Sequence, residues 1–123
     1  MSLQRILALA AGLALAVACN TPSIPIPPPE LSNMSFDYDE AAGTATYSYG
    51  RDEDFGGAVV YVYNRDQGVG VIDTARADGT VGPTAPFSAA LGDNIVVTYE
   101  AEEQLVTICA VLAAGPPSTE CDL

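Results

Sequence analysis

The 123-residue chain contains no histidine and no lysine, and its only basic side chains are four arginines. Without histidine the commonest general base is missing, so neither a Ser-His-Asp nor a Cys-His arrangement can form. Without lysine there is no side-chain amine for Schiff-base chemistry. Paired carboxylates remain conceivable for a hydrolase, with Glu100 and either Glu102 or Glu103 as members. A solvated acidic strand edge is the favoured interpretation of these glutamates, and the chain is predicted not to be an enzyme.

Positive charge is scarce throughout, because sixteen acidic residues give a formal net charge of −12. Such a polyanion repels phosphate backbones, so no nucleic-acid partner is expected. The hydrophobic fraction of 49% and the six tyrosines argue against a disordered acidic tail. The chain also lacks a long apolar run: residues 6–17 are twelve apolar residues, whereas a membrane-crossing helix needs about 20.

The first eighteen residues have the three parts of a secretory signal peptide. Arg5 and the α-amino group supply positive charge, residues 6–17 form the apolar core, and Ala16 and Ala18 are small residues near the cut site. A buried helix of a globular domain would show a polar face, and this segment has none. Residues 1–18 are therefore predicted to be a signal-peptide helix.

The residues Leu-Ala-Val-Ala-Cys at 15–19 resemble the lipobox of bacterial lipoprotein precursors. The resemblance implies that the Cys19 thiol receives a diacylglyceryl group, that the chain is cut before Cys19, and that the new N-terminus is often acylated. Ordinary cleavage after Ala18 is the alternative. Asn20, in place of the aspartate that tends to retain such proteins in the inner membrane, implies an outer-membrane location. The expected partner of Cys19 is thus the lipid bilayer, in which two or three acyl chains anchor stably.

Two cysteines remain if Cys19 carries lipid, and they leave one intramolecular pairing, Cys109 with Cys121. An even pair in an exported chain favours a disulfide. Closing this loop is expected to contribute roughly 2–3 kcal/mol. Two thiolates without histidine do not complete a tetrahedral zinc site, and no cofactor is predicted.

Proline divides the mature chain into a tether and a domain. Five prolines fall within residues 22–29, which blocks helix and sheet and favours polyproline II. Residues 19–32 are therefore predicted to hold a domain at 33–123 some 30–40 Å from the lipid, at about 3.1 Å per residue.

Apolar and polar residues alternate through much of 33–123, which is the pattern of half-buried strands. The strands are expected around 35–39, 44–49, 58–63, 69–77, 95–101 and 105–112, with Phe87 as a core residue after an irregular stretch at 83–86. The run at 58–63 is nearly all apolar, which suits a central strand covered on both faces. This spacing predicts an all-β, antiparallel two-sheet sandwich of about seven strands.

Residues 57–101 also resemble a known pattern. They contain Gly-Ala-Val-Val-Tyr-Val-Tyr-Asn, then Ala-Asp-Gly-Thr at 77–80, and then Phe87 before Leu-Gly-Asp at 91–93 and Ile-Val-Val-Thr at 95–98. This order is similar to bacterial immunoglobulin-like and carboxypeptidase-regulatory-like β-sandwich modules. The resemblance implies an immunoglobulin-like sandwich used as a spacer, an adhesion unit or a stalk segment.

The favoured function is a lipid-anchored structural or protein-interaction module of the cell envelope, with an envelope protein as a possible partner. The alternative is a calcium- or glycan-binding surface domain. The candidate calcium ligands are Asp52, Glu53, Asp54, Asp66, Asp73, Asp78 and Asp93, and the candidate sugar-stacking residues are Tyr47, Tyr49, Tyr61 and Tyr63. For the acids a solvated surface is the competing interpretation, and for the tyrosines it is packing in or near the core.

Overall fold

The computed structural model describes residues 24–123, so the predicted signal peptide and Cys19 lie outside the described residues. Seven strands account for most of the regular structure, and the rest is short 3₁₀ turns and loops. The strands are β1 (Met34–Asp39), β2 (Thr44–Tyr49), β3 (Val59–Asn64), β4 (Val69–Thr74), β5 (Phe87–Ser88), β6 (Asn94–Ala101) and β7 (Gln104–Val111). The 3₁₀ turns are Leu31–Asn33 and Glu53–Phe55.

The strands form two antiparallel sheets, one of three strands in the order β1-β2-β5 and one of four in the order β4-β3-β6-β7. These orders correspond to strands A-B-E and C′-C-F-G of the immunoglobulin sandwich. The predicted all-β, two-sheet antiparallel sandwich is confirmed. The stretch at 81–88 runs beside β2, where Val81 pairs with Tyr49 and Phe87 with Ala45.

The core lies between the sheets because each strand turns every second side chain inward. The buried side chains are mostly aliphatic on the four-stranded sheet and aromatic on the three-stranded sheet. Phe36, Tyr47, Tyr49, Phe55 and Tyr99 form an aromatic cluster whose neighbouring ring centroids are 4.4–6.0 Å apart. The hydroxyls of Tyr47 and Tyr99 share a hydrogen bond of 2.8 Å, so both buried polar groups have a partner.

The predicted disulfide between Cys109 and Cys121 is present. It holds the C-terminal tail against the outer edge of β7, where Ala110 pairs with Glu120 and the backbone N–H of Cys121 donates to the carbonyl of Cys109. A sheet edge with unpaired backbone groups invites pairing with another chain. The stapled tail covers the C-terminal part of this edge, at residues 109–111.

The second half of the predicted tether packs against the domain. The Ile26 N–H donates to Oε1 of Gln104 at 2.9 Å, and Nε2 of Gln104 donates to the Ile24 carbonyl at 2.8 Å. Further along, Pro29 is fully buried, and the Glu30 N–H donates to the Tyr49 hydroxyl. The chain therefore enters the sandwich beside the β6–β7 turn, at one end of the four-stranded sheet.

Candidate functional site

The solvent-facing side of the four-stranded sheet is the most distinctive surface of the described chain. Partner residues on antiparallel strands point to the same side, so the register fixes which side chains share it. We call this surface the outer face. It comprises Val59, Tyr61 and Tyr63 of β3, Gly70, Ile72 and Thr74 of β4, Val96, Thr98 and Glu100 of β6, and Leu105 and Thr107 of β7.

The outer face exposes large apolar side chains. Ile72 is 69% exposed, Leu105 68% and Tyr63 46%. Tyr63 and Ile72 lie on the neighbouring strands β3 and β4, and Leu105 lies on β7 at the other edge of the sheet. Single exposed apolar residues are ordinary on protein surfaces, but three large ones on one sheet face are typical of an interaction surface. The prediction that β3 is covered on both faces is therefore wrong: β3 is central in its sheet, but only its inward residues are buried. The inward side chains of this apolar run pack in the core, and its outward side chains face solvent.

Glu100 is the only charged residue of the outer face, although the chain has sixteen acids. Its carboxylate accepts a hydrogen bond of 3.0 Å from the Tyr61 hydroxyl. This hydrogen bond and the charge of the carboxylate raise the pKa of Tyr61. The Tyr61 hydroxyl is thus the donor that pairs with the charged group of the outer face.

Gly70 creates a shallow groove beside Tyr63. A Cβ at Gly70 would lie 3.4 Å from Cδ2 of Tyr63 and 2.5 Å from the carbonyl oxygen of Val62. The Tyr63 ring therefore leans across the space where a side chain on β4 would stand, a packing known to compensate glycine in strands. The groove continues to Tyr61 and Ile72, both of which line it.

The structure separates the four tyrosines that the sequence offered for sugar stacking. Tyr47 and Tyr49 are buried in the aromatic cluster, as the packing interpretation predicted, whereas Tyr61 and Tyr63 stand on the outer face. Alternation could pair 47 with 49 and 61 with 63. It placed Tyr47 and Tyr49 on the apolar side of β2, but it left the facing of Tyr61 and Tyr63 open because residues 58–63 are apolar on both sides.

The loop acids that are candidate calcium ligands accept hydrogen bonds within their own turns or from neighbouring loops. The Asp52 carboxylate accepts from the Asp54 N–H, and that of Asp78 from the Thr80 N–H and hydroxyl. The hydroxyl and N–H of Thr80 together lower the pKa of Asp78. Asp66 accepts from the Asn94 N–H, and Asp73 from the Thr74 N–H. Within residues 24–123 no three His, Cys, Asp or Glu side chains are arranged to hold a metal ion.

Asp93 is the most heavily bonded of these acids. Its Oδ2 accepts from Nδ2 of the buried Asn64 at 2.8 Å, from Nε2 of Gln67 at 2.9 Å and from the Ala90 N–H at 2.9 Å. Partial burial acts to raise the pKa of Asp93, but the three hydrogen bonds together outweigh it and lower that pKa. This network ties the β3–β4 turn to the loop before β6, which is a structural task.

The glutamates proposed for hydrolysis are divided between two elements. Glu100 lies on the outer face of β6, while Glu102 and Glu103 form the β6–β7 turn. Glu102 and Glu103 are both solvent-exposed. The φ values of Glu102 and Glu103 are positive, 50° and 62°, as expected for the two central residues of a two-residue hairpin loop.

No protein-family model matches the chain, and no curated protein or solved structure matches it. Across residues 24–123 no helix is long and apolar enough to cross a membrane.

Proposed function

We propose that the protein is a lipid-anchored module of the bacterial cell envelope that binds another protein through the outer face and has no enzymatic activity. The observation that carries the proposal is that Tyr63, Ile72 and Leu105 are exposed on one sheet face of an otherwise acid-rich chain. Interface centres are low in charge and rich in aromatic and aliphatic side chains, with polar groups at the rim. The outer face has this composition.

A protein partner suits the outer face better than a glycan. Sugar sites combine aromatic stacking with several polar groups that bond the hydroxyls. On the outer face the tyrosines have Val59, Ile72 and Val96 as aliphatic neighbours. The polar groups beside them are already paired, because Glu100 is bonded to Tyr61 and the hydroxyls of Thr98 and Thr107 share a hydrogen bond. Aliphatic neighbours contribute burial and no hydrogen bonds, which favours an apolar protein surface as the ligand.

The lipid anchor rests on the sequence of residues 1–20, where the predicted signal peptide, residues 1–18, ends just before Cys19. The intramolecular Cys109–Cys121 bond is consistent with this assignment, because it leaves Cys19 without a thiol partner in the same chain. A strongly acidic domain is repelled by anionic headgroups, so acyl chains would supply the attachment that charge does not.

Site-specific photo-crosslinking in intact cells tests the binding face. A crosslinking amino acid at Leu105 on the outer face should give a discrete protein adduct, and the same group at Leu91 should not. Leu91 is a matched control because it is also exposed, at 61%, and lies in a loop off the outer face. An adduct at Leu91 and none at Leu105 would refute binding through the outer face.

Mass spectrometry of the mature protein tests the anchor separately. The N-terminal peptide should begin at Cys19 and carry a lipid-sized mass increment. The variant Cys19→Ser should lose that increment and leave the membrane fraction. An unmodified Cys19 thiol in the wild-type protein would remove the anchor from the proposal while leaving the binding face untouched.

A further inference from the structure

The two edges of the four-stranded sheet differ. The stapled tail pairs with β7 at residues 109–111, whereas β4 has no ladder partner on its far side among residues 24–123. The Ala75 N–H donates to the Ala58 carbonyl, which marks the hydrogen-bonded pairs of the β3–β4 ladder. Because these pairs alternate with non-bonded ones, the backbone groups of residues 70, 72 and 74 point away from β3.

Two residues of the β4 edge have no hydrogen-bond partner for either backbone group among residues 24–123. The Thr74 N–H is taken by the Asp73 carboxylate at 2.8 Å. Gly70 and Ile72 remain, and both are solvent-exposed. Each offers one N–H and one carbonyl in the plane of the sheet, which is a template for one more antiparallel strand.

The side chains at these two positions are complementary to each other. Ile72 projects from the outer face, 69% exposed, and Gly70 has no side chain and opens the groove beside Tyr63. A strand pairing that sets residue 70 opposite residue 72 of an identical strand places each isoleucine beside the other copy's glycine, next to the Tyr63 ring that leans across it. The projecting side chain and the glycine that makes room for it are both on one strand, so a second copy fits the edge.

We propose that β4 pairs with β4 of a second copy of this chain, antiparallel and about a two-fold axis at Val71. In this register Gly70 and Ile72 of one copy form four backbone hydrogen bonds with Ile72 and Gly70 of the other. Val71 then faces its own counterpart, and the two four-stranded sheets become one sheet of eight strands. Such an isologous contact is closed, so it produces dimers and not fibres.

Charge does not oppose pairing in the same register. Asp73, the only charged residue of β4, lies opposite Val69 of the second copy. Like charges directly opposite one another would disfavour pairing, and this register has none along β4.

The pairing is tested in solution with residues 19–123 carrying Cys19→Ser. Sedimentation should show a concentration-dependent dimer, and Ile72→Pro should weaken it at least tenfold. Proline at 72 removes a free donor and the projecting side chain, but no hydrogen bond of the domain itself. Oxidation of V71C should give a covalent dimer at least tenfold faster than oxidation of T74C, because only residue 71 faces itself. A monomer at all concentrations, or equal rates for V71C and T74C, would overturn the pairing.

Discussion

The hydroxyls of Tyr47 on β2 and Tyr99 on β6 meet 2.8 Å apart and join the two sheets across the core. Burial raises the pKa of both groups, and the nearby Tyr99 hydroxyl raises the pKa of Tyr47 further. Both tyrosines are fully buried, so neither hydroxyl reaches water. The two buried hydroxyls can hydrogen-bond each other only when the sheets are correctly aligned, so the pair favours that alignment over others.

Stability should fall steeply above pH 10. In the unfolded chain both tyrosines ionise near pH 10, whereas the folded domain keeps them protonated. The unfolded state then binds fewer protons than the folded state, so the free energy of unfolding decreases as pH rises. We expect a loss of roughly 3 kcal/mol between pH 9 and pH 11, measured by urea denaturation. Tyr99→Phe should lose about half as much over the same range, and a flat profile in the wild-type protein would contradict the assignment.

The hydrogen bond itself can be measured with a double-mutant cycle. Tyr47→Phe or Tyr99→Phe alone leaves one buried hydroxyl without a partner and should cost about 1–3 kcal/mol. The double variant removes both groups and should cost less than the two single losses added together. Additive losses in urea denaturation would indicate that the two hydroxyls do not interact.

Much of the fold was predictable from alternation, since the six main strands lie close to their expected positions. β4 is shorter than predicted and ends at Thr74, because residues 76–80 form a turn. In this turn the Gly79 N–H donates to the Arg76 carbonyl, and the Arg76 N–H donates to the Thr80 carbonyl. The outer face was not predictable. Alternation groups Tyr61 with Tyr63, but the choice between core and solvent depends on the opposite sheet. The packing of residues 24–31 was also hidden, because it depends on the distant Gln104.

The β6–β7 turn should be easy to stabilise. Glu102 and Glu103 are both in the left-handed region, which costs residues with a Cβ about 1 kcal/mol or more each, and Asn-Gly is the favoured sequence for such a turn. The variant E102N/E103G should therefore gain about 1–2 kcal/mol in the free energy of unfolding. The control E102A/E103A removes the charges and keeps the backbone cost, so an equal gain there would point to charge repulsion instead.

Two glycines with positive φ should respond differently to alanine. At Gly79, with φ 86°, an added Cβ would overlap the backbone of Asp52, whereas at Gly43, with φ 65°, it would meet no atom within 4 Å. Gly43→Ala should cost about 1 kcal/mol from the backbone conformation alone. Gly79→Ala should cost about 3 kcal/mol or more, because the Asp52 loop must also move. Equal decreases in Tm for the two variants would show that the Asp52 loop moves at little cost in free energy.

The way in which residues 24–30 attach determines how the domain would respond to a pulling force. Tension applied at Ile24 first reaches the two hydrogen bonds of Gln104, then the buried ring of Pro29, and then the Glu30–Tyr49 bond. These contacts break one after another, so the segment would peel away before any strand is loaded. It would release several residues of extra length while the sandwich stays folded, and so serve as a mechanical buffer in series with the sheets.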